Sequence, residues 1–70
     1  DYLKAAVERA PDFTAAWKLL GKALAGGGHP IEAKEAFARG IQTAERRGDL
    51  QAAKEMAVFL RRLAKTVGPP

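Results

Sequence analysis

The sequence predicts an all-α fold, an antiparallel helix-turn-helix array, and three observations point to it. Apolar residues recur at three- and four-residue steps in four successive stretches, the period of a helix with one buried face. Between the stretches stand Pro11, the run Gly26-Gly27-Gly28, and Gly48, residues that stop or turn helices. Displacing the chain by roughly 34 residues, a period of two-helix repeats, lays Leu3 on Phe37, Ala6 on Gly40, Val7 on Ile41 and Ala10 on Ala44. Each pair keeps its size or chemical class. The first stretch therefore reads as the second helix of an earlier pair whose first helix is missing.

Tyr2 to Ala10 places Tyr2 or Leu3, Ala6, Val7 and Ala10 on one face. Pro11 ends that helix, since proline lacks the amide hydrogen and disfavours helix in the residue before it. Asp12 or Thr14 is expected to cap the second helix by accepting a bond from an unpaired amide. That helix runs to about Ala25, with Phe13, Trp17, Leu20 and Leu24 along its buried stripe. The three glycines then supply a turn with positive backbone angles. Pro30, whose fixed φ suits a first helical turn, starts the third helix. Ala33, Phe37, Gly40, Ile41 and Ala44 face inward there; Glu32, Lys34, Glu35, Arg39 and Arg46 face water. Glu35 and Arg39 are ordered for a surface pair worth about 0.3 kcal/mol. Gly48 stops this helix and Asp49 is expected to cap the fourth. Leu50, Ala53, Met56, Ala57, Leu60, Leu63 and Ala64 form the fourth helix's apolar stripe, with Phe59 beside it. Gln51, Lys54, Glu55, Arg61, Arg62 and Lys65 make its wet face, and Gly68, Pro69 and Pro70 an exposed tail.

A 70-residue chain holds one domain at most, near the lower edge of what folds unaided. Apolar residues are 47% of it, but much of that is alanine, so the core must come from close helix contacts. There is no cysteine, hence no disulfide or zinc-thiolate support. No apolar run approaches the roughly 20 residues of a membrane span. Lys4, Glu8 and Arg9 interrupt any signal-like segment. The chain begins at Asp1 inside a helical pattern without a starting Met, and is expected to be a piece of a longer protein. A cytoplasmic setting is the expectation for it. The net charge of +4 favours acidic partners.

Trp17, Leu20, Gly21, Leu24, Gly28, Ala33, Phe37 and Gly40 resemble the signature of the tetratricopeptide repeat (TPR) family. Leu24 stands where tyrosine is usual and Gly40 where a small alanine is customary. Alanine is therefore expected to be tolerated at position 40, and leucine not. Pro11 matches the proline that closes a repeat, but Glu45 stands one period later. The resemblance implies a single TPR-like domain over 1–67. It comprises the second helix of a half repeat at 1–11, one full repeat at 14–47 and a capping helix at 49–67, with a tail at 68–70. One period beyond Trp17, Leu20 and Gly21 lie Gln51, Lys54 and Glu55, so the last helix lacks a first-helix signature. Apolar inward and charged outward, it suits the end of a stack. The stretch from Trp17 to Lys65 also resembles the C-terminal part of small bacterial TPR proteins of unassigned function.

Little here suggests chemistry. With neither serine nor cysteine, the commonest nucleophiles are missing. Thr14, Thr43 and Thr66 read as caps or surface residues. His29 has no partner histidine or acidic cluster for a metal, and no cofactor is expected. Glu32 and Glu35 lack a pocket that would shift their acidities. The glycine run follows a helix and has no Lys-Ser or Lys-Thr after it, unlike a phosphate loop. Trp17 and Met56 read as core. The chain is not expected to be an enzyme.

The resemblance instead implies an interaction scaffold for a protein or peptide partner. First helices of such repeats line a concave groove, which places Ala15, Lys18, Leu19 and Lys22 on the contact face. Lys18 and Lys22 would supply charge, as in TPR domains that grip a terminal carboxylate, although the family's asparagine is missing. Tyr2, Leu3, Ala6 and Val7 would leave apolar surface for upstream repeats or a second copy to cover, a route to a homo-oligomer. Two alternatives stand beside this reading: a structural end-cap with no binding role, and a nucleic-acid adaptor using Arg46, Arg47, Arg61, Arg62 and Lys65.

Overall fold

The computed structural model describes residues 13–67, which form three helices: α1 (Thr14–Gly26), α2 (Pro30–Arg47) and α3 (Leu50–Val67). Among the described residues there is no strand. Tyr2, Leu3, Ala6 and Val7, with the half repeat to which they were assigned, lie outside these residues, as do Asp12 and the tail. The all-α, TPR-like helical-hairpin array expected from the sequence is what the structure shows.

Both turns use the same device. Gly28 has φ 83° and Gly48 φ 76°, the left-handed conformation that side chains resist. After α1 the His29 amide donates to the Leu24 carbonyl at 2.8 Å and the Gly28 amide to Ala25 at 3.4 Å. After α2 the Asp49 amide donates to Ala44 at 2.7 Å and the Gly48 amide to Glu45 at 3.1 Å. These reciprocal bonds satisfy carbonyls that a helix end leaves open. Of the three consecutive glycines, only Gly28 takes a positive φ.

The start of α1 departs from expectation. Phe13 is the N-cap, without a side-chain capping bond, and Thr14 is already the first helical residue. Thr14 is buried, and its hydroxyl has no hydrogen-bond partner. Thr43 is buried too; its hydroxyl donates to the Arg39 carbonyl one turn back at 3.0 Å. Neither threonine is a cap or surface residue. Thr43 is buried because α2 is covered from two sides, by α1 and by α3.

α2 packs equally against α1 and α3, whereas α1 and α3 meet only along one edge. Its buried residues are small apart from one: Ala33, Ala36, Gly40, Thr43 and Ala44 surround Phe37, which is 1% exposed. The first interface joins Ala36 to Ala16, Trp17 and Leu20; the second joins Ala33, Phe37 and Ala44 to Ala53 and Met56. Two glycines set the spacing. A methyl at Gly21 would lie 2.7 Å from the Phe37 ring. At Gly40 it would lie 2.5 Å from Met56 Sδ and 2.8 Å from Trp17 Cβ. The expectation that alanine fits at position 40 is therefore corrected: three helices converge there more tightly than a methyl allows.

On α3, Ala53 and Met56 are buried and Phe59, Leu60 and Leu63 half-buried. Leu50, assigned inward, is 61% exposed at the helix start. Phe59, placed beside the stripe, stacks on Phe37 with ring centroids 5.4 Å apart and planes 8° from parallel.

Candidate functional site

Two contacts define how α1 and α3 run past each other. The Lys18 ammonium donates to Glu55 Oε1 at 2.6 Å, and Lys22 Nζ lies 5.7 Å from the centroid of the Phe59 ring. Both join residues 37 positions apart, so the helices are parallel, side by side across α2. The groove between them follows from α2, which holds them on opposite flanks and supplies Phe37 as its floor.

At the Lys18 end the groove is bridged by an ion pair. The hydrogen bond from Lys18, then its charge, then a hydrogen bond from Gln51 hold the Glu55 carboxyl below its ordinary value of 4.5. Both side chains remain partly exposed, so solvent screens the pair. At the other end lies a cleft of about 240 Å³ lined by Lys22, Ala25, Phe37, Phe59, Arg62 and Leu63. Its walls are mostly carbon, and the ammonium of Lys22 lies within the range of a cation–π contact.

The four α1 residues assigned to partner contact fall into different situations. Ala15 and Leu19 are exposed, Leu19 by 53%, and Lys22 is exposed beside the cleft. Lys18 is half-buried and its charge is engaged by Glu55. Sequence reasoning did not place Ala25, Phe37, Phe59, Arg62 and Leu63 together. The available signal was the 37-residue offset, which exceeds the 34-residue comparison because α2 continues to Arg47.

The signature residues occupy the interior and the first turn. Trp17, Leu20, Gly21, Ala33, Phe37 and Gly40 are buried, Leu24 is half-buried, and Gly28 forms the turn. Arg39 carries its guanidinium 5.9 Å from the Trp17 ring centroid and donates to Glu35 at 3.4 Å. The exposed His29 imidazole lies 3.5 Å from Glu32. Among the described residues, no group of three His, Cys, Asp or Glu side chains is arranged to hold a metal. No described helix is long and apolar enough to cross a membrane. The basic residues do not gather at one turn. Arg46 and Arg47 end α2, whereas Arg61 lies roughly 17 Å along α3 from Leu50 at 1.5 Å per residue.

An array of helical hairpins with buried Trp17, Leu20, Gly21, Ala33 and Phe37 defines a TPR-like scaffold, and the chain resembles the TPR family. A TPR repeat-containing protein of the bacterium Pseudomonas aeruginosa is 48% identical over 63 residues, which cover 90% of this chain. The chain spans 60% of that relative's length. No family model and no solved structure matches the chain.

Proposed function

We propose that the chain is a protein-interaction scaffold that holds a peptide or helix of a partner in the groove between α1 and α3. The observation that carries this reading is the groove itself: two parallel helices, an aromatic floor, and exposed Ala15, Leu19 and Lys22 along one edge. The TPR-named relative supports a scaffold in general terms. TPR proteins are typically scaffolds without catalytic activity, and the described side chains give this one no constellation that suggests a reaction. A peptide laid in the groove would gain affinity from apolar burial and direction from the charged rim.

Affinity capture tests the reading, with the wild-type chain compared with a Leu19→Glu, Lys22→Glu double variant. Both residues are exposed, so the fold should persist. Lys54→Glu, also exposed and on α3, serves as the control for charge alone. Loss of the captured partner in the double variant and its retention in the control are expected. Equal recovery from all three would contradict the groove and leave the chain as an end-cap of an array.

A further inference from the structure

We infer that the outer face of α3 lies along the backbone of double-stranded DNA, with Lys54, Arg61 and Lys65 each meeting a phosphate. This surface is separate from the α1–α3 groove and needs nothing from it. At about 3.6 residues per turn, Lys54, Val58, Arg61 and Lys65 fall within an arc of about 60°. That arc is on the side of the helix opposite Met56, which is wholly buried against α2. All four residues are exposed, and the three cations make no ion pair or hydrogen bond among the described residues. Glu55, the acidic residue of α3, is tied to Lys18 across the groove, and the stripe itself carries no carboxylate. From Lys54 to Lys65 the stripe runs roughly 17 Å, at about 1.5 Å per residue. Its charge is uncompensated along a line.

A line of cations suits a linear polyanion. Duplex DNA carries about one charge per 1.7 Å of its axis, so the length of the stripe spans roughly ten phosphates and each cation has one in reach. The major groove of B-form DNA, about 12 Å wide, admits an α-helix, whereas the deep, narrow groove of duplex RNA does not. A single strand is gripped by stacking its bases, and the stripe carries no aromatic ring. An acidic peptide would have to bury apolar surface on Leu50 and Val58, the exposed apolar side chains of this face, which stand roughly two turns apart. A DNA backbone asks for charge alone. Contacts to phosphates carry no base information, so binding here is indifferent to sequence.

The test uses the full chain and a dye-labelled DNA duplex of about two helical turns, read by fluorescence anisotropy from about 50 to 200 mM salt. Three phosphate contacts, at about −0.9 each, give a slope of log affinity against log salt of about −2.7, an affinity loss of about 40-fold over that range. Lys54→Gln, Arg61→Gln and Lys65→Gln should each make the slope shallower by about one, and the triple variant should lose binding. Val58→Glu, which removes no cation, should weaken binding as well. These residues are exposed, so the fold should persist, which thermal melts check. Lys34→Gln, the same loss of charge on α2, should leave the slope unchanged. Two duplexes of unrelated sequence should bind alike. A slope reduced equally by Lys34→Gln would overturn the proposal, since net charge alone would then account for the affinity. So would a slope that survives in the triple variant, or no binding to the duplex at the low end of the salt range. Tighter binding of an oligothymidylate or an RNA duplex of equal phosphate number would overturn it in favour of that strand. Sedimentation with phosphatidylserine vesicles, without binding to the duplex, would overturn it in favour of a lipid surface.

Discussion

Gly40 shows how closely one residue can set this fold. A methyl there would approach Trp17 Cβ, which is anchored to the backbone and cannot swing aside as the Met56 tip can. Helix propensity favours alanine over glycine by about 1 kcal/mol, but overpacking a filled core costs roughly 1–3 kcal/mol. Gly40→Ala should therefore lower the melting temperature, and Gly21→Ala should do the same against the stacked Phe37 ring. Unchanged or raised melting points would show that the helices can separate at no cost. Trp17→Ala should remove about 3–5 kcal/mol, a large part of the stability of a small domain; a melt within a few degrees of wild type would contradict its place in the core. Lys18 and Glu55 make a different kind of prediction. Because the folded Glu55 pKa is depressed, its stabilising effect is present above about 4.5 and is lost as pH falls through the lowered folded value. Glu55→Gln should remove that part of the acid sensitivity, which thermal melts of both chains near neutral pH and well below 4.5 would reveal. Trp17, Leu20, Ala33, Phe37 and Ala44 could be read as core from spacing, whereas Phe13, read onto the same stripe, is exposed, and the buried Ala16 and Ala36 were not read. Nor could the Lys18–Glu55 pair be read, because it depends on how two helices 37 residues apart pass one another.

At the scale of elements, the turns were the most legible part of the chain. Gly28 and Gly48 end their helices with a left-handed residue and reciprocal backbone bonds, a geometry that glycine announces in sequence. A pair of substitutions separates backbone strain from packing. Nothing lies within 4 Å of a methyl at Gly26 or Gly48, but only Gly48 has a positive φ. Gly48→Ala should therefore cost about 1–2 kcal/mol, whereas Gly26→Ala should be neutral or stabilising by up to about 1 kcal/mol. Equal melting temperatures for the two would deny that the Gly48 conformation matters. The helix starts were less legible. Thr14 offers a capping hydroxyl, yet the helix begins one residue earlier in phase, and burial claims the side chain. α3 was read with the right period but with the wrong outer members. Leu50, at the start of the helix, is exposed, while Phe59 is drawn in by Phe37. Periodicity identifies a stripe; packing against the neighbouring helix decides which of its members are covered.

Across the whole molecule, α2 is the wall on which two parallel helices hang, and the surface between them is its consequence. Resemblance to TPR proteins made the hairpin and the face of α1 legible. It did not show that α3 brings Phe59, Arg62 and Leu63 to that face, because the last helix lacks the first-helix signature at the expected period. The proposed working surface is the α1–α3 groove. Titrating the isotope-labelled chain with a peptide from the captured partner, followed by heteronuclear NMR, tests it most directly. Saturable shifts are expected at Ala15, Leu19, Lys22, Phe59 and Leu63, with the exposed Glu35, Ala38 and Gln42 of α2 unmoved. Shifts confined to those α2 residues, with the groove residues silent, would contradict it.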